Sequence, residues 1–268
     1  MSQETVRDRI APAQLAALAA TLDRDAWPAG SVPPLAHWLS FQTPAPASRI
    51  GTDGHPDRRD FAPAVDLPRR MWAGSTIDFI APLPIDVPLD RTTRIESVER
   101  KEGRSGTLLF VTLHHVVEDG GRTLLSERQD IVYRAAPTGP AVPPAPPIPA
   151  PDAAQWRRMV TPDPVLLFRY SALTFNAHRI HYDRDYATQV EGYSGLVVHG
   201  PLIATLLLHE LLARHPGIDV ARYRFRAVRP IIDTAPFFVC GALEGDTARL
   251  FACDAQGALC MDATATLR

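Results

Sequence analysis

The chain has 268 residues, 46% of them hydrophobic and 22% charged, enough for one large domain or two small ones. A formal net charge of -2 and a pI near 6.5 argue against nucleic-acid binding, which needs a basic surface to neutralise phosphates. No run reaches 18 apolar residues and the N-terminus lacks the apolar core of a cleavable signal, so a cytoplasmic protein without a membrane span is expected.

In chain order, a short helix is expected near Leu15–Leu22, followed by a proline-containing, poorly periodic stretch to about Pro68. Strands are expected over Met71–Phe79, Thr92–Arg100, Leu108–Glu118 and Leu124–Tyr133, with Gly120-Gly121 as a turn. In PTGPAVPPAPPIPAP, residues 137–151, eight of fifteen residues are proline, which excludes a helix or central strand. At roughly 3 Å per residue this segment can cross about 45 Å. It divides the chain into an N-terminal domain, 1–136, and a C-terminal domain, 152–268.

Beyond it, Phe168–Leu173 reads as a strand and His199–Gly217 as the strongest helix. Strands follow at Tyr223–Val228, Phe237–Leu243, Ala248–Cys253 and Ala258–Leu267, with hairpin turns at Glu244–Asp246 and Asp254–Gly257. Pro201 suits the first turn of the helix, and Leu202, Ile203, Leu206, Leu207, Leu208, Leu211 and Leu212 make it apolar on most sides. One buried helix plus an antiparallel sheet describes an α+β layer fold. The helix is a core element in any reading; its N-terminal N–H groups also suit an anion or a polarised carbonyl oxygen.

Cys240, Cys253 and Cys260 match no metal spacing and read as buried free thiols. The stretch FRYSALTFNAHRIHYDRDYA, residues 168–187, is unusually dense in polar groups for a connector. Histidine exchanges protons near neutral pH, so His178 and His181 are candidates for acid–base work. Their spacing would also suit a metal, but no third ligand falls at a convincing distance, and none is expected.

These residues resemble the active-site segment of the MaoC-like, or R-specific enoyl-thioester, hydratases. That family's pattern is an aspartate, a histidine five residues on, a charged residue and an aromatic–alanine pair. His181, Asp183, Tyr186 and Ala187 match its later positions. A histidine–glycine pair opening the central helix matches His199 and Gly200 in GYSGLVVHGPL. The N-terminal half is similar to the degenerate hot-dog of the two-domain branch, through PRRMWAGSTIDF and KEGRSGTLLFVT. That branch includes mesaconyl-type acyl-CoA hydratases and mitochondrial-type 3-hydroxyacyl-thioester dehydratases, and shares the SALTFN-H-RIHYD run. The resemblance implies a double hot-dog, with antiparallel sheets wrapped around long central helices.

The family's aspartate is Asn176 here, and an amide cannot act as a general base. Proton transfer would then fall on His181, with Asn176 orienting water or a substrate hydroxyl. The Gly200 N–H is the expected donor to the thioester oxygen. Substrate contacts are expected from Arg179, Tyr182 and His199, and from Arg224, Arg226 and Arg229, which with Arg222 crowd RYRFRAVRP and suit a carboxylate or phosphate. No redox cofactor or metal is expected; coenzyme A or phosphopantetheine enters with the substrate. The expected reaction is reversible hydration of a short branched or dicarboxylic enoyl-CoA. A carrier-protein dehydratase, a hot-dog thioesterase and a non-catalytic thioester-binding subunit remain alternatives. A homodimer is compatible with such a fold.

Overall fold

The computed structural model describes residues 3–24, 26–28, 30–56, 67, 69–103, 106–135 and 146–268. Ten antiparallel strands form one continuous sheet. They are β1 (Gln3–Asp8), β2 (Arg69–Phe79), β3 (Leu89–Gly103), β4 (Gly106–Asp119), β5 (Arg122–Arg134), β6 (Trp156–Val160), β7 (Val220–Ala227), β8 (Phe237–Glu244), β9 (Thr247–Cys253) and β10 (Leu259–Leu267). Their order is β1-β3-β4-β5-β2-β7-β10-β9-β8-β6. The strands of each half are contiguous, and β2 joins β7 at the seam with Gly74 opposite Arg226 and Asp78 opposite Arg222. A Cβ at Gly74 would lie 2.4 Å from the Phe225 carbonyl oxygen, so close pairing at the seam requires glycine.

Among the described residues three α-helices complete the fold: α1 (Pro12–Thr21), α2 (Pro164–Leu173) and α3 (Gly200–Arg214). Helix α3 is the central rod. Leu202, Ala204, Leu208 and Leu211 are fully buried, and α3 packs on β8, β9, β10 and β2. At about 25 cal/mol per Å², each buried leucine contributes roughly 2 kcal/mol. Among the described residues the N-terminal half supplies one α-helix, the ten-residue α1, which packs against α2, its Leu15 and Leu18 clustering with Ile10 and with Leu173 alongside. A long central helix is therefore realised in the second half alone, among the described residues. No helix of the described residues is long and apolar enough to cross a membrane.

The strand expected at Phe168–Leu173 is the second half of α2. The deciding signal lies upstream. The Asp163 carboxylate accepts from the Val165 and Leu166 N–H groups, and Pro164 occupies the first turn. Leu167, Tyr170 and Ser171 then recur on one buried face at helical spacing. Of the proline-rich segment, 137–145 lie outside the described residues. Its end runs beside the β9–β10 turn, through Leu259 N–H to Ile148 O at 2.8 Å and Ala150 N–H to Gly257 O at 2.9 Å. Cys240, Cys253 and Cys260 are buried and free.

Candidate active site

A cavity of about 580 Å³ lies between the two halves. The C-terminal half contributes Asn176, His178, His181 and Gly200 to its walls; the N-terminal half contributes His55, Arg70, Trp72 and Glu127. The expected trio of His181, Asn176 and Gly200 thus shares one chamber.

The segment after α2 is built to present these groups. Thr174 caps α2, Phe175 takes a left-handed φ of 50°, and the Asn176 N–H returns to Ser171 O at 2.8 Å. Asn176 Oδ1 accepts from the His178 N–H at 3.0 Å, closing an Asx turn that launches a 3₁₀ turn over Arg179–His181. That bond employs the amide oxygen and leaves the amide nitrogen as the donor Asn176 offers to the chamber.

His181 is buried, and its Nδ1 lies 2.7 Å from Val197 O. A carbonyl only accepts, so Nδ1 carries the hydrogen and Nε2 keeps its lone pair. Burial lowers the His181 pKa to about 4, against an opposing contribution from the Val197 bond. The imidazole is therefore a neutral base at neutral pH. It stacks on His199, with ring centroids 3.7 Å apart and planes 20° apart. His199 is fully buried, and its Nε2 is 2.8 Å from Ser171 Oγ. It does not reach the cavity wall; it forms the platform under His181, which corrects its expected role as a substrate contact.

Gly200 opens α3, where first-turn N–H groups have no carbonyl partners within the helix. Pro201 has no N–H, so the donors at this end are few and fixed. A Cβ on Gly200 would meet only Trp72 O, at 3.9 Å. Glycine here keeps the approach to the helix end open rather than avoiding a clash with the protein.

Three expected substrate contacts face elsewhere, and a fourth is a brace. Along β7, Tyr223 and Phe225 are buried, so alternation sends Arg224 and Arg226 to the exposed outer face. Tyr182 is 46% exposed and donates to Ala177 O at 3.1 Å. Arg179 binds Asp183 at 2.7 Å, lies over the Tyr186 ring at 4.2 Å, and donates to Thr52 O at 3.0 Å. Arg229 does line the cavity.

Two groups of cavity residues have no counterpart in the sequence reading. The turn Gly51–Pro56 docks on the segment after α2, with the Arg179 N–H donating to Asp53 O at 2.9 Å. It brings the His55 ring within 4.3 Å of the His178 ring. Arg70 Nη2 donates to His55 Nδ1 at 2.7 Å. Ligand atoms of Asp53, His55 and His178 lie within 4.8 Å of one another.

At the far wall, Glu127 is buried. It accepts from His37 Nε2 and Trp38 Nε1, each at 3.1 Å, and from Ser75 Oγ at 2.7 Å. Burial alone would raise its pKa, but the His37 bond and charge, the His115 charge and the Ser75 bond outweigh it and hold the carboxyl at about 2. Trp72 Nε1 donates to Ser75 Oγ at 3.0 Å, so this network fixes the tryptophan beside Gly200.

The fold and this site define an acyl-thioester hydro-lyase of the hot-dog kind. The family profile for hydroxyacyl-thioester dehydratase type 2 matches residues 35–233. The chain is 45% identical to mesaconyl-C(4)-CoA hydratase of Chloroflexus aurantiacus, over 98% of this chain and 95% of that protein. It is 26% identical to the mitochondrial hydroxyacyl-thioester dehydratase type 2 of Schizosaccharomyces pombe, over 81% and 79%. Among solved structures, HtdX of Mycobacterium tuberculosis superposes with a TM-score of 0.71 at 21% identity, covering 98% of each chain. A MaoC-like dehydratase superposes at 0.73 with 17% identity, covering 100% of this chain and 97% of that one. The chain belongs to the hydroxyacyl-thioester dehydratase type 2 family.

Proposed function

We propose that the protein reversibly adds water across the double bond of a short, branched, dicarboxylic enoyl-CoA such as mesaconyl-C4-CoA. The observation that carries this reading is the neutral His181 base, fixed by Val197 and facing the same chamber as the start of α3. The 45% identity to a mesaconyl-C4-CoA hydratase supports the acyl class.

In the hydration direction, His181 Nε2 removes a proton from water while the Asn176 amide orients it. The water oxygen bonds to Cβ, and the π electrons move to give an enolate on the thioester oxygen. The Gly200 N–H donates to that oxygen, a contact typically worth a few kcal/mol in the transition state. The imidazolium then returns its proton to Cα, the C=O bond re-forms, and neutral His181 is restored. Dehydration runs the same steps backward. These steps use no redox cofactor or metal, and coenzyme A is part of the substrate. In this reading Arg229, which lines the cavity, contacts the coenzyme.

The test follows loss of conjugated enoyl-thioester absorbance with mesaconyl-C4-CoA, with release of free thiol monitored in parallel. Loss of absorbance with formation of a hydroxyacyl-CoA and no thiol supports the reading. Thiol release from a saturated acyl-CoA would identify a thioesterase, and binding without turnover a non-catalytic subunit. Turnover confined to acyl-carrier-protein substrates would replace the CoA assignment.

A further inference from the structure

A water molecule has two hydrogens and two lone pairs to place. In the hydration proposed above, one lone pair attacks Cβ and the Asn176 amide nitrogen donates to the other. One hydrogen goes to His181 Nε2. The second hydrogen has no acceptor among these groups. Asn176 Oδ1 already accepts from the His178 N–H, and Val197 O from His181 Nδ1. In a buried site a donor left unpaired carries its full desolvation penalty.

An unused acceptor stands beside His181. The His178 ring meets the His181 ring edge-on, with centroids 5.4 Å apart and planes at 88°. At that spacing a water about 2.8 Å from His181 Nε2 can also reach a His178 nitrogen. His178 is 8% exposed and lines the cavity together with Asn176 and His181. Its backbone N–H is bonded, but neither ring nitrogen has a hydrogen-bond partner among the described residues. The neighbouring rings differ: His55 Nδ1 is taken by Arg70, and His199 Nε2 by Ser171.

We infer that His178 is a further catalytic residue, whose ring nitrogen accepts the second hydrogen of the attacking water and, in the reverse direction, the hydrogen of the departing β-hydroxyl. This rests on the hydration reading above and adds a third group to the water site.

Charge supports the assignment. A ring nitrogen accepts only while the imidazole is neutral. Burial, then the neighbouring His181 and Arg70 charges, lower the His178 pKa to about 3, so the ring is neutral near pH 7. An Asp53 carboxylate oxygen lies within 4.8 Å of one ring nitrogen. A negative charge on that side favours the hydrogen there and leaves the other nitrogen bare.

The ring stands on a braced segment. Asn176 closes its Asx turn on the His178 N–H. Gly54 takes a φ of 90°, and a Cβ there would fall 1.8 Å from Ala177 O, so the turn Gly51–Pro56 packs directly on the residue before His178. On the residue after it, the Arg179 N–H donates to Asp53 O at 2.9 Å. The His55 ring flanks His178 at 4.3 Å.

The experiment measures hydration of mesaconyl-C4-CoA and crotonyl-CoA by the wild type and by His178→Leu, His178→Gln and His178→Asn. Leucine removes the acceptor, whereas the amide oxygens of glutamine and asparagine stand in for the two ring nitrogens. His178→Leu should lower kcat roughly 10- to 100-fold on both substrates with KM changed less than about threefold, as expected for one hydrogen bond lost in the transition state. At least one amide variant should recover part of that loss. Thermal melts establish that each variant is folded. A crystal structure of the wild type with the 3-hydroxyacyl-CoA product carries the test should the variants not fold: it should place the β-oxygen within about 3 Å of a His178 ring nitrogen. A product oxygen out of reach of that ring would overturn the inference. So would wild-type kcat in folded His178→Leu, a loss confined to KM, or equal losses in all three variants, which would make His178 a packing residue. A wild-type protein that hydrates no enoyl-CoA would instead overturn the hydration reading itself.

Discussion

Histidine bases commonly give a rate that falls below about pH 6.5, and His181 should not. Burial holds its pKa at about 4, with the Val197 carbonyl fixing the hydrogen on Nδ1. At pH 5.5 an imidazole of pKa 4 is about 97% neutral, whereas one of pKa 6.5 is about 9% neutral. The two cases differ about tenfold in competent enzyme at that pH. Protein stored at pH 8 and diluted for seconds into assays from pH 4.5 to 8 should keep kcat/KM nearly constant down to pH 5.5. Its acid limb should appear close to pH 4. His181→Gln should lose roughly 100- to 10,000-fold in kcat, the usual contribution of a positioned base, with KM changed far less. A tenfold fall at pH 5.5 in protein still folded by near-ultraviolet dichroism would refute the neutral-base argument. So would a His181→Gln variant with undiminished kcat on a demonstrated substrate.

Two further outcomes follow from the packing. Gly54→Ala must move the docked turn, because its Cβ would lie 1.8 Å from Ala177 O at a φ of 90°. Such backbone strain costs on the order of 1–3 kcal/mol, so kcat/KM should fall tenfold or more with far-ultraviolet dichroism retained; wild-type kinetics would show that the turn does not position the site. His209 is buried against Pro34 O at 3.0 Å, and burial lowers its pKa to about 4. The unfolded chain takes up this proton below about pH 6.5 and the folded chain only near pH 4. Stability present above pH 6.5 is thus lost as pH falls through that window, by about 3 kcal/mol for this residue. Urea titrations from pH 7 to 4.5 should show a gentler acid decline in His209→Gln, by about 1.4 kcal/mol per pH unit; an unchanged slope would exclude His209 as a contributor.

Much of the sheet was legible because its strands alternate or cluster apolar residues between turn residues, as in Leu108–Glu118 and Phe237–Leu243. The apolar run of α3 was equally plain. Strand β1 escaped because it is an edge strand whose exposed and half-buried positions alternate without apolar residues to mark them, Val6 being the one apolar residue of QETVRD. Helix α2 escaped because its start signal, Asp163-Pro164, precedes the apolar run that drew attention. At the site, His181 and Asn176 stand out in one polar segment and Gly200 at the head of an apolar helix, and the fold brings the three to one cavity. His55 and Arg70 do not stand out. His55 comes from a stretch without periodicity and Arg70 from the start of β2, both more than a hundred residues upstream, and the fold brings them to the same cavity as His181. The polar cluster 168–187 contributes Asn176, His178 and His181 to the cavity lining, but not Arg179 and Tyr182. Their side chains hold the segment in shape rather than facing the chamber.

The seam between β2 and β7 has a consequence for how such a catalyst can be divided. Either half made alone would expose a row of unpaired amide and carbonyl groups along β2 or β7, an edge that invites another chain to add to it. It would also open the chamber along its length, since His181 stands on one side and Arg70 on the other. Joining the halves in one polypeptide turns what would be a contact between two molecules into an internal, permanently satisfied one. Each chain then holds one chamber with two unlike walls.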